Sequence, residues 1–333
     1  MTDDPTLTTN RSDATAAAFE RPLLLTAGQD LAGYLAALIG KILLMAITSL
    51  TIISVLLIFV FIGAKAVPFF QERGFVEMFT TLPWNPTHEA NPDFGAVTMF
   101  YGSGVVTLGA ILLAAPTGIL AAVFLSDIVP FSWRQIIKPI IEILAAIPSV
   151  AYGFFAVLVV APWLQDTFGF PRGVNILNAS MLLAVMAVPT IVSISEDALS
   201  AIPRELREGA YAVGATRAEV LLKVVIPAAH SGIIAAVILG IMRAIGETML
   251  VWMASGMMAQ IPEHWWDLGA GVRTLTATIA QEMGEAPADG LHRQALFAMG
   301  LSLLVITFVL NVVSEYFLAR AKRLAQGKVK GKR

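Results

Sequence analysis

Residues 197–227 read DALSAIPRELREGAYAVGATRAEVLLKVVIP, a charged insert between two long apolar stretches. Pro203 suits a first helical position, and Ile202, Leu206, Ala210 and Val213 recur at helical spacing, which predicts a helix with one apolar face. Gly214 fits the left-handed position that stops a helix, because glycine has no Cβ to clash there. Thr216-Arg217-Ala218-Glu219 has the form of a capping box, with Thr216 accepting from the backbone and Glu219 reaching back. The expected unit is helix, sharp glycine turn, second helix, ended by Pro227. An elbow with an apolar face and a charged rim is suited to insertion into a groove on another protein. The bland alternative is an amphipathic loop lying on a bilayer or against its own bundle.

Composition places the rest of the chain in a membrane. A hydrophobic fraction of 57% with 14% charged residues, and a mean hydropathy of +0.75, exceed what a soluble core needs. About 20 apolar residues cross the hydrocarbon layer as helix. The stretches that qualify are Ile42–Ala64, Phe94–Ser126, Ile143–Gln165, Gly173–Ser195, Ala228 to about Met258, and Gln294–Ser314. Backbone groups in lipid must be satisfied within the segment, so these are helices. The fold class is all-α, a bundle of six transmembrane helices. Pro116, Gly118, Pro148, Gly153, Pro189, Gly240 and Gly246 mark kinks and close contacts. Gly102, Gly104 and Gly109 are read as packing positions too.

Basic residues set the orientation. With the N-terminus inside, the inner segments collect Arg134, Lys138, Arg204, Arg207, Arg217, Lys223 and a basic tail, while the outer ones hold only Lys65, Arg73, Arg172, Arg273 and Arg293. This puts both termini and the insert in the cytoplasm. The net charge of -2 hides the asymmetry and implies no nucleic-acid partner; the tail is an anchor near anionic lipid headgroups. Met1–Asp30 lack the pattern of a cleaved signal peptide, and Leu31–Gly40 extend the first helix or lie at the interface. The expected organisation is a cytoplasmic leader (1–40), a first membrane helix with an outer loop (41–93), a core of five membrane helices (94–319) carrying the charged cytoplasmic loop 196–227, and a basic cytoplasmic tail (320–333). With no cysteine, disulfides and thiolate metal sites are excluded.

The fifth apolar stretch is interrupted by Arg243-Ala244-Ile245-Gly246-Glu247-Thr248. On an unbroken helix Arg243 and Glu247, four apart, share a face and reach each other. An arginine at mid-membrane costs about 2.5–3.5 kcal/mol, so it should face the bundle interior or water. One reading is a self-neutralising pair that pins neighbouring helices. The other is a guanidinium offering planar, bidentate donors to a passing oxyanion, with Glu247 holding it, competing for it, or accepting a proton from a hydroxylated oxyanion.

Two sets of residues carry a resemblance. Glu208-Gly209-Ala210, Gly214 and Val224-Val225-Ile226-Pro227 are similar to the cytoplasmic loop of bacterial ABC importer permeases, which runs Glu-Ala-Ala, Gly, Ile-x-Leu-Pro; Gly209 departs from it, since the family usually has Ala. Arg243 to Met249 resembles the signature of phosphate-uptake permeases of the PstC type, as do Pro139–Phe155, Ser193–Leu199 and Leu301–Leu310. The likeness covers about Phe94 to Arg323. It implies Arg243, Glu247 and Thr248 as pathway residues, with Ser149 and Tyr152 as further candidates, and Glu208, Gly209, Ala210, Gly214, Ala215 and Thr216 as the loop that docks an ATPase. It also implies a PstA-type partner permease, separate ATP-binding subunits, an external phosphate-binding protein, and the inner membrane as location. Permeases for sulfate or molybdate, or a membrane scaffold or sensor of phosphate signalling, are the rival readings.

The chain shows no Gly-x4-Gly-Lys-[Ser/Thr] nucleotide cradle, so it is expected to be no enzyme, to bind no cofactor of its own, and to use ATP through a partner. His88, His230, His264 and His292 have no metal-ligand spacing, so no metal is expected. Tyr101-Gly102-Ser103-Gly104 has the look of a serine nucleophile turn but no histidine placed to activate it. Trp265 and Trp266 read as interface anchors.

Overall fold

The computed structural model describes residues 27–88, 91–264 and 266–325. Most of the leader, the tail from residue 326 and Trp265 lie outside the described residues, and the readings made of them with those segments. The chain divides into two compact units, Met1–Val60 and Phe61–Arg333. The described part of the first belongs to helix α1 (Ala27–Glu72), so Leu31–Gly40 continue the first helix.

In the second unit the end of α1 is followed by α2 (Gly74–Thr80) and a two-stranded antiparallel sheet. Its strands, β1 (Trp84–Asn85) and β2 (Asp93–Phe94), pair Trp84 with Phe94. Helix α3 (Val97–Val123) runs into a π-turn at Phe124–Ile128. Then come α4 (Phe131–Ala146), α5 (Ser149–Phe155), a π-turn, and α6 (Ala161–Phe168). The long α7 (Ile176–Ser200) leads to a hairpin of α8 (Arg204–Ala212) and α9 (Arg217–Val220). A third π-turn, Leu221–Val225, feeds α10 (Ile226–Ile245), which is followed by α11 (Met249–Ala254), α12 (Leu275–Glu282) and α13 (Leu291–Ala325). Among the described residues six helical segments are long and apolar enough to cross a membrane: Gly33–Glu72, Val97–Ile128, Ser149–Phe168, Ile176–Ser200, Arg217–Ile245 and Leu291–Arg320.

Small residues bring the central helices together. On α3, Gly102, Val106, Ala110, Ala114, Gly118 and Ala122 recur at every fourth position and all are buried; such a stripe lets backbones approach closely. Ile191 of α7, fully buried, fills the space left by two glycines. A Cβ on Gly118 of α3 would lie 2.8 Å from its Cγ2, and one on Gly240 of α10 would lie 2.8 Å from its Cγ1. Gly102 and Gly109 make the close approaches expected of them, whereas Gly104 faces open space. Asn178, fully buried, donates from Nδ2 to the carbonyls of Ala156 at 3.0 Å and Gly173 at 2.9 Å, which fixes α7 to the π-turn of the third span.

Three expectations need correction. The third span does not run unbroken from Ile143: Ile147 and Pro148 are extended (ψ 129° and 136°), because a residue before proline avoids the helical region, and Ile143–Ala146 belong to α4. The fifth span breaks at Gly246–Thr248 instead of continuing to Met258. Pro227 ends nothing; it sits in the first turn of α10, where its missing N–H is harmless, and the π-turn before it carries the helix from Arg217 through to Ile245.

An arginine between two interrupted spans, and a capped hairpin

Arg243 lies in the last turn of α10, and Gly246 is the C-cap of that helix. Its guanidinium, half-buried, donates from Nη2 to the carbonyl of Ala145 at 3.2 Å. Ala145 is in the last turn of α4, where carbonyls have no partner within the helix and the helix end favours a cation. The preceding carbonyl, Leu144, accepts from the Tyr152 hydroxyl at 2.9 Å. A side chain from each of two other helices therefore closes the C-terminus of α4, just before the break at Ile147–Pro148 that precedes the third span, while the fifth span ends at the break Gly246–Thr248. Helices α5 and α11 then pack together so closely that a Cβ on Gly153 would meet Met253 Sδ at 2.6 Å. Arg243 Nε is buried with no acceptor among the described residues. Ser149 opens α5 at the first break, and Thr248 precedes α11 at the second.

The expected Arg243–Glu247 pair is not formed, since among the described ion pairs none joins them. The reason is the break itself. The helix stops at Ile245, so a spacing of four no longer puts two side chains on one face. The Glu247 carbonyl instead accepts from Thr276 Oγ1 at 2.6 Å. Glu247 lines a niche of about 10 Å³ with Ser103, Thr107, Thr274 and Thr276, on the scale of a single water. Ser103 Oγ accepts from the Leu275 backbone N–H at 2.9 Å, so this serine holds the start of α12. The structure thus brings Arg243 and Tyr152 to one helix end and sets Glu247 in a separate hydroxyl-lined niche.

At the hairpin the local reading holds. Gly214 has φ +86°, and Thr216 and Glu219 form the reciprocal capping box. Pro203 sits one place earlier than expected, at the N-cap of α8. The apolar positions do not form one face. Ile202, Ala210 and Ala215 pack inward on a core of Ala122, Val123, Leu199, Val220 and Val225, while Leu206, Tyr211 and Val213 are exposed, Val213 at 85%. Glu208 and Gly209 are exposed as well. The outward side leaves an apolar tip exposed, and the inward side fixes the elbow to the bundle. Arg207 and Arg217 strengthen that fixing: both bond to Asp127 at the end of the second span, Arg207 to its carboxylate and Arg217 to its carbonyl.

Sequence reasoning missed two carboxylate hubs. Glu196, with only 1% of its side chain exposed, receives Arg134, Lys138 at 2.6 Å and Ser200 at 3.0 Å. Glu282 accepts from Trp84 at 2.9 Å and Arg273 at 2.7 Å, and bonds His292 at 2.9 Å. Arg134 and Lys138 were legible only as topology markers, because their partner lies about sixty positions away and no local spacing links them. Trp266 is 61% exposed and stacks obliquely with His264. Among the described residues no group of histidines and carboxylates forms a metal site.

A set of membrane-length helices, with two chain breaks meeting at a cation and a capped hairpin that exposes an apolar tip, defines a multi-pass membrane subunit. The chain belongs to the family described as binding-protein-dependent transport system inner membrane component, which matches residues 114–323. It is 37% identical over 285 residues to the "Probable ABC transporter permease protein YqgH" of Bacillus subtilis, covering 85% of this chain and 91% of that one. It is also 37% identical to the phosphate transport system permease protein PstC of Mesorhizobium japonicum, over 80% of this chain and 86% of that one, and 32% identical to its counterpart in Xylella fastidiosa, over 89% and 94%. In fold it resembles a chain of the bacterial alginate ABC transporter solved in complex with a pentasaccharide-bound periplasmic protein, with a TM-score of 0.52, 16% identity, and coverage of 87% of this chain and 97% of that one.

Proposed function

We propose that this chain is a pathway-forming permease subunit of an ATP-driven phosphate importer. It sits in the inner membrane with both termini and the α8–α9 hairpin in the cytoplasm, beside a homologous PstA-type permease, and ATP is hydrolysed by separate subunits docked on the hairpin. An external phosphate-binding protein delivers the cargo from the opposite side. The observation that carries the pathway role is Arg243 at the end of the fifth span, its guanidinium held on the helix end that precedes the third span, beside the breaks at Ile147–Pro148 and Gly246–Thr248. Interrupted membrane helices are where transporters place charged cargo, and a fixed guanidinium suits a tetrahedral oxyanion. The PstC name of two relatives supports phosphate as that oxyanion. Arg243 and Tyr152 then form one station and Glu247 with its hydroxyl niche a second, with Ser149 and Thr248 at the two breaks. Glu208, Gly209, Ala210, Gly214, Ala215 and Thr216 make up the docking elbow.

The test is reconstitution of the complete importer in vesicles, with ATP-dependent uptake of phosphate measured against sulfate. Phosphate uptake is expected to dominate and to be lost in Arg243→Gln. Unchanged uptake by that variant would remove Arg243 from the pathway, and preferential sulfate uptake would reassign the cargo.

A further inference from the structure

We infer that α4 is the strut through which movement of the hairpin reaches Arg243, with Glu196 as its joint; this rests on the transport reading above. No residue of α4 is fully buried; apolar packing is confined to a half-buried stripe of Ile137, Ile141 and Ala145, which leaves the position of the helix along its axis only weakly fixed. Polar contacts at its two ends fix it. At one end Arg134 and Lys138 converge on Glu196, Lys138 also reaches Asp197 at 3.1 Å, and Arg134 donates to Ser200 at 2.8 Å. At the other end the Ala145 carbonyl holds Arg243.

The hairpin acts on the same joint. Arg207 of α8 donates from Nη2 to the carbonyl of Leu199 at 2.9 Å, one turn beyond Glu196 on α7, while its other nitrogen holds Asp127. A displaced hairpin therefore pulls on the end of α7 that carries Glu196. From Arg134 to Ala145 the α-helix spans about 16 Å; Pro139 removes one bond from its ladder, but the remaining helix transmits axial displacement better than a loop would. A buried carboxylate that lost its cations would be destabilised strongly, so the joint moves as a unit. Glu196 is thus a positioning residue, acting on Arg243 through α4 without touching cargo.

The experiment uses the complete importer in vesicles, with phosphate uptake and ATP hydrolysis measured on one preparation. Glu196→Gln is expected to lower phosphate moved per ATP hydrolysed by at least about fivefold, the lower edge of usual coupling strengths. Arg134→Gln, which leaves Glu196 its lysine and serine partners, should lower it less, and Arg134→Lys should restore it. If the Glu196 and Arg134 variants lose uptake and hydrolysis in proportion, the network is only structural and the inference is overturned.

A second readout does not depend on the cargo. The chain contains no cysteine, so spin labels can be placed at Ile140→Cys on α4 and Leu112→Cys on α3, both exposed. Adding ATP should shift the distance between them, and Glu196→Gln should abolish that shift. A shift that persists in the variant overturns the strut even if phosphate is the wrong cargo. Absence of phosphate uptake by the unmodified importer, with the label shift present and lost in the variant, overturns the phosphate reading alone.

Discussion

Replacing Gly209 by alanine should stabilise the α8–α9 elbow, and the size of the effect can be worked out in advance. Gly209 lies inside α8, and a Cβ placed on it meets nothing within 4 Å, so alanine brings no clash. Glycine inside a helix is less favourable than alanine by about 0.8–1.0 kcal/mol, chiefly through the backbone freedom it loses on ordering. If α8 opens locally before its amides exchange, the open population falls by about four- to fivefold. Hydrogen exchange of the purified protein in lipid nanodiscs, followed on peptides covering residues 204–213, reads this directly. Gly214→Ala supplies a control of opposite sign. Its φ of +86° costs a side-chain-bearing residue about 1–2 kcal/mol, and exchange should speed up. Unchanged or faster exchange in Gly209→Ala would refute the claim that residue 209 is helical and unobstructed in the solution state.

Two further substitutions probe the bundle. Gly240→Ala would press on Ile191, which Gly118 already confines from the other side; overpacking of this kind costs about 1–3 kcal/mol and should lower the thermal unfolding midpoint in detergent, whereas Gly104→Ala, facing open space, should leave it unchanged. Asn178→Ala strips the carbonyls of Ala156 and Gly173 of a buried donor, so a loss of about 2 kcal/mol or more is expected, visible in the same scan.

The number of spans was legible because hydropathy over about 20 residues reports burial in lipid directly. The elbow was legible because its devices are local: a glycine that must be left-handed and a Thr-x-x-Glu box. The breaks were not, and proline shows why. Pro116, Pro139 and Pro189 lie inside helices, while Pro130, Pro148 and Pro203 sit at helix starts. Neighbouring helices can satisfy the carbonyl that an interior proline frees, so the residue alone does not say whether the chain continues. The Arg243–Glu247 pairing failed for the same reason, since it assumed that Gly246 would be carried through as helix.

That failure alters how the site works. A pair closed on itself would have to be broken before an anion could enter. Here the guanidinium caps α4 through one nitrogen, with Nε buried out of an anion's reach, so on the transport reading an oxyanion that takes Nη2 draws it away from Ala145. α4 then loses a charge-assisted bond, worth about 1.5–3 kcal/mol, at the end farther from Glu196. Cargo can bias a conformational equilibrium only through a difference in affinity between its states, and this bond is one such difference: it is present when Arg243 faces α4 and absent when Arg243 faces the anion. On the transport reading proposed above, Arg243 would then both recognise the cargo and report its arrival to the hairpin.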